Sequence, residues 1–170
     1  LAHMYPRADV PVVQLSIDAN RPFDSHLDLA ARLAPLRRQG VLVVASGNIV
    51  HNLRRVDWAN PTGAYDWAER FDEAARERMA TDPASVLDLQ GHSDFGMAVP
   101  TPDHFLPLVY FAGLAEADAQ TADTLVDGYT FGSISMTSYT AGAGSATPSE
   151  PESQAPAAPL PHPDQVPPEQ

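Results

Sequence analysis

The sequence predicts an α/β domain: a partial, open, mainly parallel sheet with flanking helices. Residues 10–17 (VPVVQLSI) and 41–45 (VLVVA) are β-branched and almost continuously apolar, as strands buried on both faces must be. The stretch between them repeats its apolar residues at helical rather than alternating spacing. Strand, helix and strand in that order make a βαβ unit, whose crossover is right-handed and whose strands run parallel.

Each element follows from local chemistry. Residues 18–24 are turn-rich, and Ser25 is placed to cap a helix. Leu27, Ala30, Leu33, Ala34 and Leu36 form its apolar stripe, and Gly40 is a natural stop. Pro35 is a blemish in that helix, because an interior proline removes a hydrogen bond and kinks the axis. Residues 66–79 predict a second helix, with Trp67, Phe71, Ala74 and Ala75 inward and Glu69, Arg70, Glu73 and Arg76 in water. A shorter helix over 83–89 and a loop over 91–100 follow. Thr101-Pro102-Asp103-His104 has the grammar of a helix start, and residues 105–114 are apolar enough to require burial. Residues 128–139 (GYTFGSISMTSY) alternate and predict a closing edge strand.

At 170 residues with 44% hydrophobic content, the chain can fill one core. Residues 1–140 are expected to form it. Residues 141–170 hold eight of the 17 prolines among Ser, Ala, Glu and Gln, and predict a Pro-rich disordered tail. The opening Leu-Ala-His-Met-Tyr-Pro reads as a chain entered in mid-domain, with a cloning scar as the alternative. Without cysteine, any metal site must use His, Asp or Glu. A formal charge of −12, with arginine as the only strong base, disfavours nucleic acid. The longest apolar run is too short to span a bilayer and no leader pattern is visible, so no membrane role and a cytoplasmic location are expected. Oligomeric state is not legible.

Of six histidines, His162 falls in the tail, His3 at the opening and His26 near a helix start, where surface placement is the default. His92, beside Gly91, Ser93 and Asp94, is either a site residue or solvated. His51 follows the second predicted strand, at the carboxyl edge where α/β sheets place their chemistry. His104 stands in the first turn of a buried helix, whose dipole disfavours imidazolium and leaves a neutral nitrogen able to bind a metal. Pattern alone leaves two readings open: one shared site, or two structural histidines. Arg54 either meets a substrate carboxylate or makes a surface salt bridge. Ser46-Gly47-Asn48 lacks the G-x-S-x-G pattern of a nucleophile elbow, which argues against a hydrolase.

Residues 10–18 (VPVVQLSID), 41–54 (VLVVASGNIVHNLR), 101–108 (TPDHFLPL) and 132–136 (GSISM) resemble consecutive motifs of the LigB-type (class III) extradiol dioxygenases of the 4,5-DOPA dioxygenase family. The resemblance covers about residues 1–140 and corresponds to the C-terminal half of that family. It implies a LigB-like sheet and metal-dependent cleavage of a catechol ring such as DOPA by O2, with Fe(II) as the expected cofactor and Zn(II) as another occupant. It implies that His104 is a metal ligand. His51 would be the acid/base, able to coordinate zinc when no substrate is present. The family's other metal histidines lie upstream, in HGSP-like and later segments without counterparts here. The resemblance thus implies a dioxygenase incomplete as this fragment. The rival is a non-catalytic, truncated α/β domain that binds a small aromatic molecule or a partner subunit.

Overall fold

The computed structural model describes residues 3 and 5–142, so the predicted tail lies, after its first two residues, outside the described residues. Helix α1 (Phe23–Leu33) begins behind Pro22, with no side-chain cap. Ser25 therefore sits in the first turn, its amide donating to the Pro22 carbonyl at 3.1 Å. At Ala34 the chain tightens into a 3₁₀ segment, Ala34–Gln39, which places Pro35 in a first turn where its missing N–H costs little. Gly40 ends the segment at φ 83°, the left-handed conformation that glycine adopts without strain.

Helix α2 (Asp66–Thr81) buries Ala68, Phe71, Asp72, Ala75 and Met79. A long 3₁₀ segment, Pro83–Gly91, stands where the shorter helix is predicted. The loop expected after it contains a single helical turn, α3 (Phe95–Ala98). Helix α4 (Leu106–Ala117) is buried along most of its length, as its composition requires. It packs against α1 at Gly113, where an added Cβ would strike the Leu27 carbonyl and the Ala30 side chain. Phe71, Met79, Leu89, Phe105 and Val109 fill the main core, which Val50 joins from the loop described below.

The predicted, mainly parallel sheet is not found among the described residues. The strands are β1 (Asp123–Val126), β2 (Tyr129–Thr130), β3 (Ile134–Ser135) and β4 (Ser138–Thr140). They form two small antiparallel pairs, β1 with β4 and β2 with β3. Among the described residues the only parallel contact is an isolated bridge between Ala64 and Gly132. The edge strand expected over 128–139 is broken by a turn in which Phe131 and Gly132 both take positive φ.

Residues 10–17 and 41–45 are the larger correction. Both are irregular, form no strand pairing among the described residues, and leave most of their apolar side chains in solvent. A strand exists only where a neighbour accepts its backbone hydrogen bonds, and the described residues offer none. His26 is the opposite case, since it is buried rather than on the surface. Its Nδ1 lies 3.2 Å from the Tyr110 hydroxyl. No described helix is long and apolar enough to cross a membrane.

Candidate functional site

The segment 46–52 (SGNIVHN) is placed by its buried residues. Ile49 and Val50 point into the core and Asn52 is buried, while His51 between them remains half-exposed. Backbone hydrogen bonds clamp this segment from two sides. On one side the Asn48 amide donates to the His104 carbonyl at 3.0 Å, and the His51 amide donates to the Ala98 carbonyl at 2.9 Å. The Asn52 side-chain amide adds a bond to the Met97 carbonyl at 2.8 Å. On the other side His51 bridges antiparallel to Ile134, and the Ser135 amide donates to the Val50 carbonyl at 3.0 Å. The Asn48 side chain donates to the Ser135 carbonyl at 2.7 Å. Gly47 is required by the close approach, because a Cβ there would run into the His104 carbonyl and the Pro107 ring.

This clamp brings His51 and His104 together across 53 positions of chain (104 − 51). Their rings stack with centroids 3.6 Å apart and planes 24° from parallel. His104 does not sit in the first turn of α4. The helix begins at Leu106, and His104 belongs to the preceding turn, in which the Pro102 carbonyl accepts from the Phe105 and Leu106 amides. The helix-dipole argument for a neutral His104 therefore loses its geometric basis. For His51 a different cause acts. Burial, and then the neighbouring His104, hold its pKa below the usual imidazole value, while Asp103 opposes them. Asp103, whose Oδ2 is 3.4 Å from His104 Nε2, is itself held below the usual carboxylate value. A hydrogen bond from Thr101 is the main cause.

Ring geometry limits what the pair does. An imidazole binds a metal through an in-plane lone pair at about 2.0–2.1 Å. Two rings stacked face to face cannot both aim such lone pairs at one ion unless one ring turns. The pair suits one ligand with an acid/base beside it better than two ligands to a common ion. Among the described residues no three His, Asp or Glu side chains converge as a metal-binding group. The donors present thus fit part of a metal site. A small cavity of about 120 Å³ borders His104, between Asn48, Pro107, Phe111 and Tyr139.

The other sequence candidates are not brought together. Arg54 follows in a short 3₁₀ turn (Leu53–Arg55). Its side chain is exposed and forms no ion pair among the described residues. His92 accepts a hydrogen bond from the Asp94 amide at 3.1 Å and packs edge-on against Phe71, a structural placement. His3 is exposed, and His162 lies outside the described residues.

Sequence reasoning missed Asp72. It is fully buried on α2 and accepts from Ser135 Oγ at 2.5 Å, Thr137 Oγ1 at 2.8 Å and the Tyr129 hydroxyl at 3.2 Å. Through Ser135 it anchors the strand that holds His51. The signal was present, since Asp72 falls four residues after Ala68 and three before Ala75, on the stripe that α2 buries.

Fold and site together give a stacked histidine pair, assembled on a helical layer with small antiparallel sheets. The family described as the catalytic LigB subunit of aromatic ring-opening dioxygenase matches residues 1–142, and the chain belongs to that family. It is 40% identical over 147 residues to a 4,5-DOPA dioxygenase extradiol of Escherichia coli K12, a match covering 84% of this chain and 54% of the relative. A 4,5-DOPA dioxygenase extradiol of Beta vulgaris is 31% identical over 139 residues, covering 80% of this chain and 51% of the relative. The crystal structure of an uncharacterized E. coli K12 protein superposes with a TM-score of 0.74 at 37% identity. That match covers 81% of this chain and 58% of the other. The chain spans about half the length of the curated relatives it matches.

Proposed function

We propose that this chain carries the C-terminal part of a metal-dependent extradiol dioxygenase acting on a catechol such as DOPA. Residues 1–140 form the catalytic portion. The stacked His51–His104 pair, fixed by backbone bonds from two distant segments, is the observation that carries this reading.

In this reading His104 holds the metal, and donors from outside the described residues complete the set. Fe(II) is the expected ion and Zn(II) an alternative. The chemistry such an ion supplies is chelation of two adjacent hydroxyls beside an open position for O2. His51 removes a phenolic proton and later returns it. Its lowered pKa keeps it neutral, and therefore basic, near neutral pH. His51 would join the ion only after its ring turned out of the stack. Arg54, exposed and without an ion pair among the described residues, is free to meet a substrate carboxylate.

The rival reading is a non-catalytic, truncated α/β domain that binds a small aromatic molecule or a partner subunit. A single experiment separates the two. The chain is assayed with DOPA and Fe(II), alone and fused to the portion of the E. coli relative outside the match. The fused protein is expected to form the yellow ring-cleavage product, and the chain alone to leave DOPA intact. An iron-loaded fusion that leaves DOPA unchanged would favour the rival.

A further inference from the structure

A cavity of about 310 Å³ opens at the start of α1, on residues that the stacked histidine pair does not use. Its two buried members are His26 and Tyr110, and the rest of its lining is half-buried or exposed. His26 Nδ1 is taken by the Tyr110 hydroxyl at 3.2 Å, whereas its Nε2 is buried with no hydrogen-bond partner among the described residues. Native folds seldom leave a buried ring nitrogen unpaired, because its lost hydration is not recovered. Around these two residues stand four charged side chains of balanced sign. Asp18 and Arg21 meet at 3.5 Å with side chains 55% and 68% exposed, a contact too solvated to hold them to each other. Asp28 and Arg32 stand at i,i+4 on α1, the spacing at which an acid and an arginine usually pair. They form no ion pair among the described residues. Arg21 also acts on the buried end, where it opposes the upward pull of burial on the Tyr110 hydroxyl pKa.

We propose that this cavity binds a small zwitterion of the α-amino-acid type, with its carboxylate on Arg21, Arg32 and His26 Nε2 and its ammonium on Asp18 and Asp28. Charge balance decides the class. A bare anion attracted by the two arginines is repelled by the two aspartates, and a bare cation meets the reverse. A ligand that carries both signs close together gains from all four. With the Tyr110 hydroxyl donating to Nδ1, the ring proton sits on Nε2, which donates to the ligand carboxylate. Leu29 offers an apolar strip for a short side chain. The site is separate from the one that holds the histidine pair, since no residue lining this cavity also lines the cavity beside His104. It uses neither a metal nor a catechol, so it stands whether or not the chain belongs to an active dioxygenase.

The test is an NMR titration of the 170-residue chain with L-alanine, beside acetate and methylammonium, which carry one of its charges each. L-Alanine is expected to give saturable shifts at millimolar concentration in the amides of residues 25–32 and in the His26 ring. Acetate and methylammonium should each bind about ten-fold more weakly or worse, having lost one set of charge-assisted contacts. Arg32→Gln and Asp28→Asn change exposed positions, so both variants should keep the helical content of the chain. Each should weaken L-alanine binding by about ten-fold. The proposal is overturned by the absence of a saturable shift at 25–32, or by equal binding in the chain and both variants. Acetate or methylammonium binding as tightly as L-alanine would also overturn it, since the site would then read a single charge.

Discussion

Val44 and Val50 stand six positions apart, in two stretches of similar apolar character, and meet opposite fates. Val44 is 61% exposed with no partner for its backbone among the described residues, whereas Val50 is fully buried and its carbonyl accepts from Ser135. The segment around Val50 meets residues 97–104 on one side and 132–135 on the other. The segment around Val44 meets the helical layer on one side and, among the described residues, nothing on the other. Apolar composition states what a segment gains by burial, but the gain is realised only where a second surface arrives. The site loop found both of its surfaces within this chain.

Four predictions break or sharpen that contrast. The largest effect belongs to the histidines that the clamped loop presents, measured in the completed, metal-loaded protein. His51→Ala should slow catechol turnover by about 10²–10⁴-fold with metal content retained, the usual cost of losing a general acid/base. His104→Ala should lose metal and activity together. Metal analysis beside turnover decides it, and a His51→Ala protein stripped of metal would make His51 a ligand first.

Next comes the anchor of the clamp. Asp72→Ala leaves the hydroxyls of Ser135, Thr137 and Tyr129 without their buried acceptor, and should cost about 3 kcal/mol in urea unfolding. A change below about 1 kcal/mol would show that the network is not what holds β3 against the His51 loop.

The two valines give the direct comparison. Val50→Ala should cost about 2 kcal/mol, from lost transfer energy and a residual cavity. Val44→Ala should stay within about 0.5 kcal/mol in the chain alone. Equal losses would mean that residues 41–45 are already packed in solution.

The smallest effect is alkaline. Burial first, and the Asp72 carboxylate second, raise the pKa of both Tyr129 and Tyr139 well above the usual phenol value. The folded chain therefore keeps protons that the unfolded chain releases above about pH 10, so stability is intact below that pH and falls as pH rises past it. Urea midpoints from pH 8 upward measure the slope. Tyr129→Phe and Tyr139→Phe should each flatten it, and an unchanged slope in both would assign it to other groups.

Local pattern determined a good deal by itself. The helical spacing between Leu27 and Ala34, the stripe through Phe71 and Ala75, and the apolar run after Phe105 each became a helix close to its predicted bounds. The left-handed stop at Gly40 followed from glycine alone. His51 and His104 were legible as candidates, each beside strongly apolar sequence. These are near-neighbour properties, and helices satisfy their backbone hydrogen bonds within a few residues. Tertiary structure alone decided the rest. It stacked two histidines 53 positions apart, buried His26 against Tyr110, and drew three hydroxyls onto Asp72. It also left residues 10–17 and 41–45 without a strand partner among the described residues, because a strand's hydrogen bonds must be made with another segment, and no stretch of sequence specifies by itself that its partner is present.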